Sequence, residues 1–243
     1  MASIRVATYN VHGCVGIDRR CSETRIVEVI RELGVDLVAI QEVNRSRRNS
    51  QEVDQAENIA QQLGWSHCYH PATKTSRGDQ GLAVLSRFPF QLRRTAKFPG
   101  KAPRFCREDR AVMEVEVTTD DGPIDVLNTH FGLGRSERLV QAQYLTSNGW
   151  LQSRTARPLV LLGDLNCRPG SRPYGLLAGE LRDVRELVQP RRSRRTLPTV
   201  LPAFIVDYIF VNAAWQASGL FVHRSRLARL ASDHFPLVAE LSC

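Results

Sequence analysis

The chain has 243 residues, of which 42% are hydrophobic, and a formal net charge of +8. That length and apolar content suit one large α/β domain spanning residues 1–243 with an ordinary core, and the lack of any apolar run of ~18 residues argues against a helical membrane span. Apart from Lys74, Lys97 and Lys101 the cations are all arginine, and their field draws polyanions: nucleic acid, phosphorylated small molecules or an anionic membrane surface.

In chain order, Ile4 to Tyr9 reads as a strand, with no basic and apolar leader before it, so a cytoplasmic location is expected. Ser22 is a candidate N-cap; Ile26, Val29, Ile30 and Leu33 then share one helical face and Gly34 stops the helix. Asp36 to Glu42 is an apolar strand closed by a carboxylate. A second helix is expected from Asp54 to Leu63, ended by Gly64. Trp65 to His70 alternates as a half-buried strand; His67, Cys68 and His70 could also form a metal cluster, but the strand is the better account. The six cysteines (14, 21, 68, 106, 167 and 243) include no CxxC pair, so reduced thiols are expected.

Strands follow at 81–86, 109–118 and 123–130, the last two joined through the hairpin signal Thr119-Asp120-Asp121-Gly122. A third helix is expected at roughly Ser136 to Leu151. The apolar run Pro158 to Leu162 then delivers Gly163-Asp164-Leu165-Asn166 to a sheet rim, where strand alternation would put Asp164 and Asn166 on one side. Arg191 to Arg195 reads as an exposed loop open to polyanion contact. Asp207 sits in the apolar run Phe204 to Val211, and Ser232-Asp233-His234 opens the run Phe235 to Leu241. Hairpins together with helical crossovers imply two mixed, mostly antiparallel sheets packed face to face with helices outside.

Polar groups at the ends of several buried strands suggest one shared site. Phosphoester hydrolysis needs anionic ligands for a hard cation, a base for water and donors for the phosphoryl oxygens. Asn10, Glu42, Asp164, Asn166, Asp207, Asp233, His130 and His234 offer that set, and Mg²⁺ suits the oxygen donors.

These stretches resemble the endonuclease/exonuclease/phosphatase superfamily, the fold of pancreatic-type deoxyribonuclease. The resemblance rests on Thr8-Tyr9-Asn10-Val11-His12-Gly13, Gln41-Glu42-Val43, Leu85-Ser86-Arg87-Phe88-Pro89 and Asn128-Thr129-His130. It continues through Gly163-Asp164-Leu165-Asn166, Val206-Asp207-Tyr208-Ile209-Phe210 and Ser232-Asp233-His234-Phe235-Pro236, in family order over nearly the whole chain. It implies a four-layer α/β sandwich. Asn10 and Glu42 would hold the principal Mg²⁺, with Asp233 nearby and Mn²⁺ as a substitute. Asp164 and Asn166 would position the attacking water and the phosphorus. His234, hydrogen-bonded to Asp207, would face the phosphate; His130 would be leaving-group acid or phosphate donor; Arg110 would bind phosphate. The number of metals, and the choice of Asp164 or His234 as base, stay open.

The chain also departs from the family pattern. Leu82 stands where many members carry an amide or acid that braces the first histidine, so His130 would need Asp79 or Gln80 instead. His12 and His130 argue against an abasic-site endonuclease and bring the chain closer to the deoxyribonuclease, sphingomyelinase and small bacterial hydrolase branches. The expected activity is a Mg²⁺-dependent phosphodiesterase or nuclease cleaving P–O bonds by in-line attack of water. Arg45, Arg47, Arg48, Arg135 and Arg138 tilt the substrate toward nucleic acid. The alternatives are a phospholipid- or phosphosugar-directed phosphodiesterase or phosphatase on the same site, and a catalytically silent binding module. No stable membrane insertion and no obligate protein partner are expected.

Overall fold

A computed structural model describes residues 3–48, 51–75, 78–99, 108–151, 157–189 and 194–243. The first half of the chain forms β1 (Ser3–Asn10), α1 (Glu23–Leu33), β2 (Leu37–Arg48), β3 (Gln51–Asp54), α2 (Gln55–Leu63), β4 (Ser66–Thr75), β5 (Gly78–Ser86), β6 (Phe90–Lys97) and β7 (Ala111–Thr119). It continues as β8 (Gly122–His130), α3 (Arg135–Ser147), β9 (Leu159–Asp164), α4 (Arg172–Glu180), β10 (Arg182–Asp183), α5 (Val184–Leu187), β11 (Asp207–Val211), β12 (Gln216–Val222), α6 (Arg226–Ala231) and β13 (Leu237–Ser242).

Over the described residues one sheet has the order β12-β13-β1-β2-β5-β4, with β3 on β2, and the other β10-β11-β9-β8-β7-β6. Only β1–β2 and β8–β9 pair in parallel; the other pairs are antiparallel. The sheets are therefore mixed and mostly antiparallel, as expected.

The apolar runs are explained by burial on both faces. Along β2, Leu37 and Ala39 enter the core between the sheets, while Val38 and Ile40 pack outward under α1, α2 and α6. Along β9, Val160 and Leu162 face the other sheet, and Leu159 and Leu161 pack under α3 and α4. Period two thus serves two cores at once, which makes four layers.

Local signals set the helix ends. Ser22 Oγ accepts from the Arg25 N–H at 3.3 Å, and Gly34 closes α1 in the left-handed region (φ 58°). Asp54 caps α2 by accepting from the Glu57 N–H at 3.0 Å, and Gly64 ends it (φ 70°). α3 stops at Ser147, short of the expected Leu151, because Asn148 leaves the helical region and Gly149 is left-handed (φ 66°). This break turns Trp150 and Leu151 into the outer core, where the Arg94 guanidinium lies 3.9 Å from the Trp150 ring centroid.

Residues 66–75 form the expected strand, and among the described residues no metal cluster gathers around His67, Cys68 and His70. Cys14, Cys68, Cys167 and Cys243 are free thiols; Cys106 lies outside the described residues. Arg191, Arg192 and Ser193 also lie outside them. Arg194 is buried and only Arg195 of the remaining pair faces solvent, so the run is not uniformly solvated. No described helix is long and apolar enough to cross a membrane.

Candidate active site

The sheet registers bring the strand-end residues together. β1 and β2 run parallel with Asn10 beside Gln41. At Gln41/Val43 the pairing of β2 with β5 slips by one residue, and Glu42 takes a left-handed conformation (φ 55°). This bulge is why Ile40 and Val43, three apart, both reach the outer core while Glu42 is turned to the rim. A left-handed Glu costs on the order of 1–2 kcal/mol, strain of the kind that clusters at functional sites.

In the second sheet His130 lies beside Asp164 across the parallel pair β8–β9, and Asp207 lies opposite Asp164 across β9–β11. Register alone therefore sets two carboxylates and an imidazole side by side. β9 ends at Asp164, so strand alternation does not place Asn166, contrary to expectation. A turn does: Asn166 is left-handed (φ 47°) and its N–H donates to Asp164 Oδ1 at 2.9 Å. Its Nδ2 donates to the Phe131 carbonyl at 2.9 Å and lies 3.1 Å from His130 Nε2.

His234 arrives from the first sheet, just before β13. Ser232 Oγ donates to the Asn10 carbonyl at 2.8 Å and accepts from the His234 N–H at 3.2 Å, which fixes the approach. His234 Nδ1 meets Asp207 Oδ2 at 2.9 Å, and its Nε2 stands 3.7 Å from Asp164 Oδ2. Asn10 joins the two sheets, with Nδ2 donating to Glu42 Oε1 at 2.9 Å and to Asp164 Oδ2 at 3.1 Å. Asn10 Oδ1 is engaged by the His12 N–H at 3.0 Å. Asp233 stands at the edge of this network, with Oδ1 3.7 Å from His12 Nδ1.

Arg110 is buried, not a surface cation. Its Nη1 lies 3.0 Å from His130 Nδ1 and its Nη2 pairs with Glu108 at 2.8 Å. The expected brace for His130 from Asp79 or Gln80 is therefore replaced. Asp79 pairs instead with Arg45 at 3.3 Å, and Leu82 is absorbed into the core between the sheets, where a carboxylate would be costly. Arg110 Nη1 at Nδ1 and Asn166 Nδ2 at Nε2 are both donors, so they compete for the single lone pair of a neutral His130 ring. Nε2 is also 3.5 Å from Asp164 Oδ2 and 3.8 Å from Glu42 Oε1.

The three central groups are pushed in different directions. Burial lowers His130 well below its ordinary value, and the charges of Arg110 and His234 add to this, so the ring is neutral at pH 7. Burial would do the same to His234, but the charge and hydrogen bond of Asp207 outweigh it and push the imidazole up to about 10. Asp164 is pushed up to about 7, first by burial and then by the Asp207 charge.

The donor set fits a hard divalent cation. Carboxylate oxygens of Glu42 and Asp164 converge on a single Asn10 amide nitrogen, Asp207 Oδ1 is buried without a partner, and burial raises Asp164. Ligand atoms of Asp164, Asp207 and His234 also lie within 4.8 Å of one another. Since His234 is held as a cation by Asp207, that trio is a poorer cage than the carboxylates around Asn10.

An amide strut beneath the site went unread in the sequence, although Asn128 lies in one of the motifs. Gln41 Nε2 donates to Asn128 Oδ1 at 2.8 Å, Asn128 Nδ2 donates to the Ile40 and Ala83 carbonyls at 2.9 and 2.8 Å, and Thr8 reaches Gln41 at 3.2 Å. All three side chains are fully buried. Asn128→Ala would leave Gln41 and two carbonyls short of a partner, so chemical denaturation is expected to show a loss of ~2–4 kcal/mol. A loss below ~0.5 kcal/mol would mean that the strut carries no weight.

The sequence profile described as "Endonuclease/Exonuclease/phosphatase family" matches residues 7–234. No curated protein matches the chain. Among solved structures, an endonuclease/exonuclease/phosphatase from Beutenbergia cavernae DSM 12333 is similar at 23% identity and a TM-score of 0.77, over 98% of this chain and 71% of that one. A mannosyl-6-phosphatase of Bacteroides thetaiotaomicron VPI-5482 is similar at 19% identity and a TM-score of 0.76, over 99% of this chain and 100% of that one. The human Nocturnin catalytic domain with bound sulfate is similar at 20% identity and a TM-score of 0.74, over 99% of this chain and 94% of that one. At these identities the likeness shows the shared fold.

Proposed function

Because the chain belongs to the endonuclease/exonuclease/phosphatase family, whose members act hydrolytically on phosphoesters, we propose that it is a divalent-metal-dependent phosphodiesterase that cleaves nucleic acid by in-line attack of water. The carrying observation is the split between Asp164 and His234. An acid tuned close to neutrality stands 3.7 Å from an imidazole that Asp207 holds as a cation. Groups so separated divide base and electrostatic roles between them.

Asp164 takes the proton of the attacking water, the Asn166 side chain orients the phosphoryl group, and the P–O bond opposite the water breaks with the leaving oxygen protonated from solvent. His234, already protonated, donates to a phosphoryl oxygen, which favours Asp164 over it as the base. His130 stands as a neutral ring with no surplus proton, which supports a phosphate-donor role over that of a leaving-group acid. Arg110 supplies positive charge behind it, and its Nε is buried without a partner. A divalent ion, when bound, supplies positive charge to the developing phosphoryl oxygens. Glu42 would be its principal carboxylate, with Asp233 nearby, and Mg²⁺ is the expected ion. Asn10 clamps Glu42 to Asp164, a positioning role as much as a ligating one. Glu42→Ala is expected to raise the Mg²⁺ concentration for half-maximal rate by roughly tenfold or more; an unchanged titration removes Glu42 from the ligand set.

A phospholipid substrate is the second reading, because an apolar loop borders the site. Val200 and Leu201 are 64% and 76% exposed, and the Thr199 N–H holds their loop to the Asp233 carbonyl at 2.9 Å. Product release from plasmid DNA, RNA, phospholipid vesicles and phosphomonoesters, compared in Mg²⁺, Mn²⁺ and EDTA, tests both. Turnover of DNA or RNA that EDTA abolishes is expected. Equal turnover in EDTA overturns the metal dependence, and turnover of vesicles alone overturns the nucleic-acid reading.

A further inference from the structure

A groove of about 880 Å³ opens beside Asn166, between the N-terminal turns of α3 and α4. Arg135, Arg138, Arg168 and Arg172 line it, and among the described residues no acidic side chain does. That volume is on the scale of a site for a whole small ligand and exceeds the needs of one phosphoryl group. Arg135 and Arg172 have no ion-pair partner among the described residues and are exposed. They also defy local preference. α1, α2 and α3 carry Glu23, Glu57 and Glu137 in their first turns, whereas the first turn of α4 has no acid; α3 and α4 nevertheless begin on Arg135 and Arg172. A cation at a helix N-terminus opposes the dipole, so these positions work against helix stability. An anionic ligand in the groove removes the conflict.

The remaining features of the groove suit the same ligand. Arg138 Nε is buried without a partner while its Nη1 braces the Leu133 carbonyl at 2.5 Å. Arg168 lies 5.3 Å from the ring centroid of Phe204, which is 39% exposed, giving a flat stacking face at the edge of the groove. The catalytic pocket and the groove share Asn166, so a chain whose scissile phosphate sits at Asn166 can lay its neighbouring units on one side along the arginines.

We propose that this groove is a second phosphate subsite that holds the adjoining backbone of a single nucleic-acid strand, with Arg135 and Arg172 as its phosphate contacts. The proposal rests on the phosphodiesterase reading above and deepens it by naming where the rest of the substrate lies. A headgroup with a single phosphate, bound at Asn166, gives the arginines nothing to hold.

Binding and turnover are measured separately so that the two readings fail separately. A fluorescein-labelled thymidine dodecamer is titrated in EDTA, by anisotropy, with the wild type and with the Arg135→Ala/Arg172→Ala double variant. The variant is expected to bind about tenfold more weakly, with a log Kd against log salt slope shallower by ~0.7 for each phosphate contact removed. In Mg²⁺ its KM for the dodecamer rises, while hydrolysis of bis(4-nitrophenyl) phosphate, which has one phosphate, stays within about twofold of wild type. Equal Kd and equal salt slope overturn the subsite. So does a double variant that loses turnover of anionic phospholipid vesicles but keeps its affinity for the dodecamer. If neither protein hydrolyses bis(4-nitrophenyl) phosphate, the phosphodiesterase reading fails, and the EDTA titration still decides the subsite.

Discussion

Asp164→Asn is expected to lower kcat by about 10²–10⁴-fold while raising the melting temperature of the metal-free protein. Both effects have one cause. Asp164 is buried directly opposite Asp207, and burial followed by the Asp207 charge raises its pKa from 3.8 to about 7. Between those two values the folded state retains a proton that the unfolded chain has released, so stability falls as pH rises through that window. The asparagine keeps the shape and removes the charge. It should therefore abolish that part of the pH dependence, and each kcal/mol recovered should raise Tm by roughly 2–4 °C for a chain of this size. Mg²⁺ should stabilise the wild type more than the variant, since an ion that binds only the folded site adds stability by mass action. Activity at pH 7.5 and thermal melts at pH 5 and 8 in EDTA check the argument. A folded variant with normal turnover removes Asp164 as the base; a lower melting temperature at pH 8 removes the repulsion.

The fold was legible because its strands are apolar in ways that only two-sided burial explains. Asp36 to Glu42 and Pro158 to Leu162 have no polar alternation to suggest a solvated face, and the hairpin at 119–122 fixed one antiparallel pair outright. The candidate site was legible for a related reason. A carboxylate or imidazole directly following such a run must lie at the sheet rim or suffer burial, and Glu42, Asp164, Asp207 and His130 all do. What stayed hidden depends on backbone geometry and on contacts distant in sequence. The bulge at Glu42 and the left-handed turn at Asn166 leave no local mark that separates them from an ordinary strand end. The partner of His130 could not be read because Arg110 reaches it across the β7–β8 pair, while the nearby acid Asp79 is taken up by Arg45. Arg168 and Arg172 carried no signal either. In a chain this rich in arginine, only the packing of α3 against α4 distinguishes a lined groove from a solvated face.

His234→Gln and Asp207→Asn are expected to fail in different ways, and the difference tests how the imidazolium is made. Burial alone lowers the pKa of His234; the charge and hydrogen bond of Asp207 reverse this and carry it from 6.5 to about 10. His234→Gln removes the cation at every pH, so kcat should fall by about 10²–10³-fold across the profile. Asp207→Asn keeps a hydrogen-bonding side chain but removes the charge, which leaves burial in control. Its alkaline limb should move down below the ordinary histidine range, whereas the wild type should hold its alkaline limb to near pH 10. Stability has the same sign. A folded pKa above the unfolded one means that the Asp207–His234 contribution is complete below pH 6.5 and is lost as pH rises through about 10. The wild type should therefore lose up to ~1.4 kcal/mol per pH unit within that window, a slope that is absent in His234→Gln. Urea denaturation at pH 6, 8 and 10, run beside kcat profiles for the three proteins, separates the alternatives. An Asp207→Asn enzyme with an unshifted alkaline limb would show that the cation on His234 does not depend on Asp207. The division of roles between His234 and Asp164 would then need another source.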